Sequence, residues 1–159
     1  MTVKTLIIGY GNPLRGDDGV AWHAAQALAA VLQNAPADVM TCHQLTPELA
    51  EPVSRADLVV FIDAEQRQPA GKIFSRRVKP DEAPLPAFSH DFTPATLIAW
   101  TRRLYQACPE AILFSVAGSS FECAEELSPP VAAALPELIE RVCAWVRAGE
   151  TTRETRADA

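Results

Sequence analysis

The short apolar run Leu6-Ile7-Ile8 ends in glycine, and the segment from Gly9 to Gly19 that follows holds four of the chain's seven glycines, Gly9, Gly11, Gly16 and Gly19. An apolar run closed by glycine and leading into a helical pattern marks a buried strand that turns directly into a helix. Concentrating glycine at one turn implies a backbone that needs positive φ or a close approach there. This strand–turn–helix start restricts the chain to a small set of α/β arrangements.

The remaining pattern agrees. A helix is expected from about Asp17 to Gln33, with Val20, Ala24, Leu28 and Val31 or Leu32 on its apolar face. A weaker strand follows over 38–44. Leu58 to Ile62 is apolar throughout, as a strand buried on both faces requires. The candidate over 72–78 follows too closely for a parallel crossover, so it is expected to be antiparallel or at an edge. A fifth strand is expected over 111–116. Thr46-Pro47, Thr93-Pro94 and Ser128-Pro129 each place a hydroxyl at a helix N-cap and proline at the first helical position. The helix after Thr93 shows Leu97, Trp100 or Thr101, and Leu104 on one face; the last helix shows Val131, Leu135, Leu138, Val142 and Trp145 or Val146. The expected fold is a three-layer α/β/α domain over 1–148 with a mostly parallel, about five-stranded twisted sheet. Residues 149–159 read as a polar, disordered tail. The proline-rich stretch Pro80 to Pro94 reads as a long loop within the domain.

A chain of 159 residues can bury one substantial core. Its net charge of −6, with no basic block beyond the pairs Arg76-Arg77 and Arg102-Arg103, disfavours nucleic acid and anionic membranes as partners. Cys42, Cys108, Cys123 and Cys143 contain no C-x-x-C and fit buried free thiols of a reducing compartment. The N-terminus shows no signal peptide and the chain no membrane span, so a cytoplasmic location is expected.

The turn Gly9 to Gly19 is neither a dinucleotide fingerprint, since Leu14 stands where the third glycine belongs, nor a P-loop. Adjacent Asp17 and Asp18 repel phosphate and suit a cation or a positively charged substrate group. Asp17 also fits an N-cap, and acids at a helix start favour its dipole. Asp63 follows the third strand, at the carboxyl edge where ligands bind in open α/β sheets; an Asx turn is the alternative. His90 lies in the proline-rich loop just before a helix, with Asp91 placed to orient it; a purely structural histidine is the alternative. His23 reads as structural, and His43 is ambiguous. Asp18, Asp63 and His90 come from three segments that can meet at one sheet edge. Two carboxylates and one imidazole leave positions open on a borderline divalent ion. No G-x-S-x-G elbow is present, and neither Cys108 nor Cys123 has an evident histidine partner.

The motif Gly9-x-Gly11-Asn12-x-Leu14-x-x-Asp17-Asp18-Gly19 closely resembles the opening motif of the [NiFe]-hydrogenase maturation endopeptidases. The likeness extends through Asp63-Ala64, Ser89-His90, Phe121-Glu122 and Leu127-Ser128-Pro129. His43-Gln44-Leu45-Thr46-Pro47-Glu48-Leu49 resembles the subgroup serving cytosolic NAD(P)-linked hydrogenases. Departures are Ala21 where many members have glycine, Asp91 after His90, and Gln44-Leu45-Thr46 in place of an Asp-x-Gly-Thr segment. The resemblance implies removal of a C-terminal extension from the hydrogenase large-subunit precursor after nickel insertion. Asp18, Asp63 and His90 would then contact nickel that the precursor carries, as the site's metal-binding and catalytic residues. The enzyme would hold no cofactor stably and act as a monomer. The competing expectation is a nickel-binding chaperone that recognises the precursor without cutting it; a small-molecule α/β enzyme using the glycine turn is a third.

Overall fold

In the computed structural model the described residues are 2–82 and 92–158, the side chains of 157 and 158 excepted. The apolar run at the N-terminus forms β1 (Thr5–Tyr10). A single 3-10 turn, Gly16–Gly19, leads into α1 (Val20–Val31), so the expected helix begins three residues later than its first acid. Next come β2 (Ala37–Cys42), α2 (Ala50–Ser54), β3 (Leu58–Gln66) and β4 (Ile73–Val78). The chain closes with α3 (Pro94–Tyr105), β5 (Glu110–Gly118) and α4 (Pro129–Asp158).

The strands lie in the order β2-β1-β3-β5-β4. All neighbours are parallel except β4, which runs antiparallel to β5 at the edge, as its short connection from β3 demands. β1 has its sequence successor β2 on one side and β3 on the other. That reversal is a topological switch point, where the strand ends splay and leave a crevice.

Side chains alternate across the sheet. Ile7, Val60, Ile62, Ile112, Phe114 and Val116 face one way and pack with α1 and α4. Leu6, Ile8, Val59, Phe61, Ala111 and Leu113 face the other way, toward α2 and α3. With both faces covered, the three-layer α/β/α expectation holds. No helix of the described residues is long and apolar enough to cross a membrane.

Several local expectations change. Of the two candidates for the end of α1's apolar face, Leu32, just past the helix, is buried and Val31 is exposed. On α3 Leu97 and Thr101 are buried but Leu104 is 52% exposed, because the last turn, carrying Arg102 and Arg103, extends beyond the packed face. Of the hydroxyl–proline starts, Thr93 caps as expected: its Oγ1 accepts the Thr96 N–H at 3.2 Å. Thr46 precedes a 3-10 turn, and its side chain makes no cap bond. Ser128 donates its hydroxyl elsewhere, as described below. The segment expected as a tail continues α4 to Asp158, and Arg153 reaches Glu110 at 3.8 Å. All four cysteines are free, but only Cys143 is buried; Cys108 and Cys123 sit on exposed connections between elements.

Candidate functional site

The turn after β1 is held by bonds that only its sequence supplies. Gly11 adopts φ 140°, and a Cβ there would collide with the Asp18 carbonyl oxygen. No residue with a side chain fits that approach. The Gly11 N–H donates to the Cys42 carbonyl at 3.1 Å, and the Trp22 indole N–H donates to the Gly11 carbonyl at 2.8 Å. Asn12 Oδ1 accepts the Leu14 N–H at 2.9 Å, closing the turn on itself.

The two adjacent acids then take different roles. Asp17 is fully buried. Its carboxylate accepts the backbone N–H of Ser119 at 2.9 Å, of Ser120 at 3.0 Å and of Ser128 at 2.7 Å, and the Ser128 hydroxyl at 2.8 Å. Burial alone would raise its pKa, but these donors outweigh it and hold the carboxyl below its usual range. Asp17 is thus neither an N-cap nor a cation ligand: it ties the turn to the chain between β5 and α4. Asp18 is half-buried, and its Oδ2 accepts the Asn12 N–H at 2.7 Å. It faces a cleft of about 730 Å³ that Asp63 also lines.

Asp63 stands on the other side of the switch point. Its Oδ1 accepts the N–H of the next residue, Ala64, at 2.7 Å, within β3 rather than in an Asx turn. Desolvation is the main reason its carboxyl is pushed up to about 7, with the nearby Asp18 and Glu65 charges adding to the rise. The Tyr10 phenol hydrogen-bonds the Asp63 carboxylate and partly opposes that rise. Burial, followed by the Asp63 charge, pushes the phenol's own pKa upward.

Strand register explains how these groups meet. Tyr10 sits one residue beyond the last β1–β3 pair, Gly9 opposite Ile62, and therefore reaches the level of Asp63. Asp63 pairs with Ser115, and Ser115 with Phe74. Cys42 pairs with Tyr10. One row therefore crosses all five strands, with its polar members at the centre.

The structure brings Asp18 and Asp63 together as expected. His90 and Asp91 lie outside the described residues. Among the described residues no group of three or more His, Cys, Asp or Glu is arranged to hold a metal ion. His23 is half-buried on α1. His43 is exposed at the cleft, its ring edge-on to Trp22 with centroids 5.6 Å apart. Sequence reading missed Tyr10, Glu65, Phe74 and Arg76. The period of two was the available signal: extending β3 past Ile62 puts Asp63 and Glu65 on one face, and the same alternation pairs Phe74 with Arg76.

No family model matches the chain, and no curated protein matches it significantly. Solved structures do. The hydrogenase maturating endopeptidase HybD from E. coli superposes with a TM-score of 0.72 at 22% identity, covering 92% of this chain and 93% of that one. The [NiFe] hydrogenase maturation protease HycI from Thermococcus kodakarensis KOD1 gives 0.71 at 22% identity, over 88% and 90%. HybD from Thermococcus kodakarensis, also a [NiFe] hydrogenase maturation protease, gives 0.70 at 20% identity, over 90% and 99%. Over nearly its whole length the chain has the fold of solved hydrogenase maturation proteases.

Proposed function

We propose that this chain is an endopeptidase that removes the C-terminal extension of a nickel-loaded [NiFe]-hydrogenase large-subunit precursor. The observation that carries the reading is the convergence of Asp18 and Asp63 on one cleft at the β1/β3 switch point. The motif around them, and the fold shared with solved maturation proteases, give that convergence its meaning.

In this reading the nickel belongs to the substrate. Asp18, Asp63 and, through the resemblance, His90 meet it from the enzyme side. Oxygen and nitrogen donors of this kind bind a nickel already held by precursor thiolates without extracting it. The Asn12 N–H and the Tyr10 phenol orient the two carboxylates before substrate arrives. That preorganisation favours a defined approach of the metal-bearing peptide. The protein acts in the cytoplasm, as a monomer, and carries no metal of its own.

The test is incubation of the purified protein with nickel-loaded and nickel-free precursor, followed by mass spectrometry of the large subunit. The expected result is loss of a C-terminal segment from the nickel-loaded form alone. An unchanged mass with folded enzyme overturns the proteolytic reading and leaves a binding role.

A further inference from the structure

The cleft that holds the two aspartates has a second end, with the opposite charge. Phe74 and Arg76 line it from edge strand β4. Phe74 pairs with Ser115, which pairs with Asp63, so both β4 side chains project from the same sheet face as Asp63. The Phe74 ring organises the cations: the Arg67 guanidinium carbon lies 3.8 Å from its centre and the Lys72 ammonium 5.2 Å. Stacking on a ring fixes a guanidinium that would otherwise be mobile.

These cations are little used within the protein. Among the described residues Arg67 makes one ion pair, a long one of 3.9 Å to Glu65. Arg76 makes no ion pair among them, whereas Arg55, Arg77 and Arg141 each pair at 3.0 Å or less. In a chain of net charge −6, a concentration of weakly paired positive charge beside a cleft runs against the overall field.

We infer that Arg76, with Arg67 stacked on Phe74, is a binding site for a carboxylate of the peptide whose other part is seated between Asp18 and Asp63. The inference rests on the peptidase reading for what that peptide is, and it adds a determinant of substrate choice. Two strand spacings separate Asp63 from β4, and Arg76 lies two residues further along the strand. The span is about 12 Å, or three to four residues of extended chain. The site therefore selects a carboxylate three or four residues from the position read by the aspartates. An acidic group in that register is attracted, and a basic one is repelled.

Two sources supply such a carboxylate, an acidic side chain or a chain terminus, and peptides separate them. Three rhodamine-labelled decapeptides serve as probes: one with two central aspartates and an amidated end, one with two central lysines and an amidated end, and one neutral with a free C-terminus. Fluorescence anisotropy at low salt is read against the wild-type protein, Arg76→Glu, and Arg141→Glu as a control on α4. Wild type is expected to bind the aspartate peptide about tenfold more tightly than the lysine peptide. Arg76→Glu reverses that preference and Arg141→Glu keeps it. Binding of the neutral peptide at the aspartate peptide's level assigns the site to a chain terminus, and weaker binding assigns it to a side chain. Equal affinity of wild type for the aspartate and lysine peptides, absence of binding included, overturns the inference. So does an equal loss of preference in Arg76→Glu and Arg141→Glu. With nickel-loaded precursor, Arg76→Glu raises KM and leaves kcat little changed. Precursor cleavage by wild type that Arg76→Glu leaves unaltered contradicts this site but not the peptidase reading. No cleavage by wild type, with the peptide preference intact, contradicts the peptidase reading but not this site.

Discussion

The Asp17 carboxylate accepts the Ser128 backbone N–H at 2.7 Å, joining the turn after β1 to the first residues before α4, more than a hundred positions away. Its neighbour Asp18 accepts one N–H, from Asn12, inside the turn itself. Removing the two acids should therefore have unequal consequences. Asp17→Ala leaves the N–H groups of Ser119, Ser120 and Ser128 without their acceptor, at a cost on the order of 3–5 kcal/mol. Asp18→Ala should cost about 1 kcal/mol. Urea denaturation of the two variants checks the contrast.

Gly11 tolerates no side chain. Alanine there must adopt φ 140° and place its Cβ against the Asp18 carbonyl oxygen. Gly11→Ala should cost at least about 2 kcal/mol and displace Asp18. Its melting temperature is expected to fall, with precursor processing falling further than the loss of folded protein explains.

Asp63 gives the fold a pH dependence opposite to that of an ordinary paired carboxylate. Its folded pKa, about 7, lies above the unfolded value. Between the two the folded state holds the extra proton, so stability from this group falls as pH rises from about 4 to about 7 and is constant above. Asp63→Asn has no such charge to bury. The variant should be more stable than wild type by on the order of 4 kcal/mol at pH 8, with the difference shrinking toward pH 4. Thermal melts across that range would show a constant difference if the carboxyl were solvated normally.

How much of this is legible in the sequence depends on the range of the interaction involved. β1, β3 and the edge position of β4 follow from apolar runs and connection lengths, which are local properties. The convergence of Asp18 and Asp63 follows from topology, since Asp18 succeeds β1 and Asp63 lies near the carboxyl end of β3, at one sheet edge. The role of Asp17 is not legible, because its partners Ser119, Ser120 and Ser128 are distant and serine donors leave no pattern. Nor does the hydroxyl–proline pattern at Ser128 reveal, for the same reason, that its hydroxyl donates to the buried Asp17 carboxylate. Tyr10 escapes notice because its importance comes from lying level with Asp63 across the sheet, and register is not written in either strand alone.

Tyr10→Phe tests that cross-strand relation. The phenol's hydrogen bond favours ionised Asp63, so its removal should move the carboxyl's titration midpoint upward. The Asp63 side-chain carboxyl carbon shift, followed by NMR against pH, reads this directly. An unmoved midpoint would show that the phenol does not act on Asp63.

The central claim is that Asp18 and Asp63 act on the precursor together from the two sides of the β1/β3 switch point. Its most direct test is the mass of nickel-loaded large-subunit precursor after incubation with wild type, Asp18→Ala and Asp63→Ala, each first shown to be folded. The account predicts a truncated large subunit with wild type and the uncut mass with either variant. Truncation at the wild-type rate by both folded variants would contradict it.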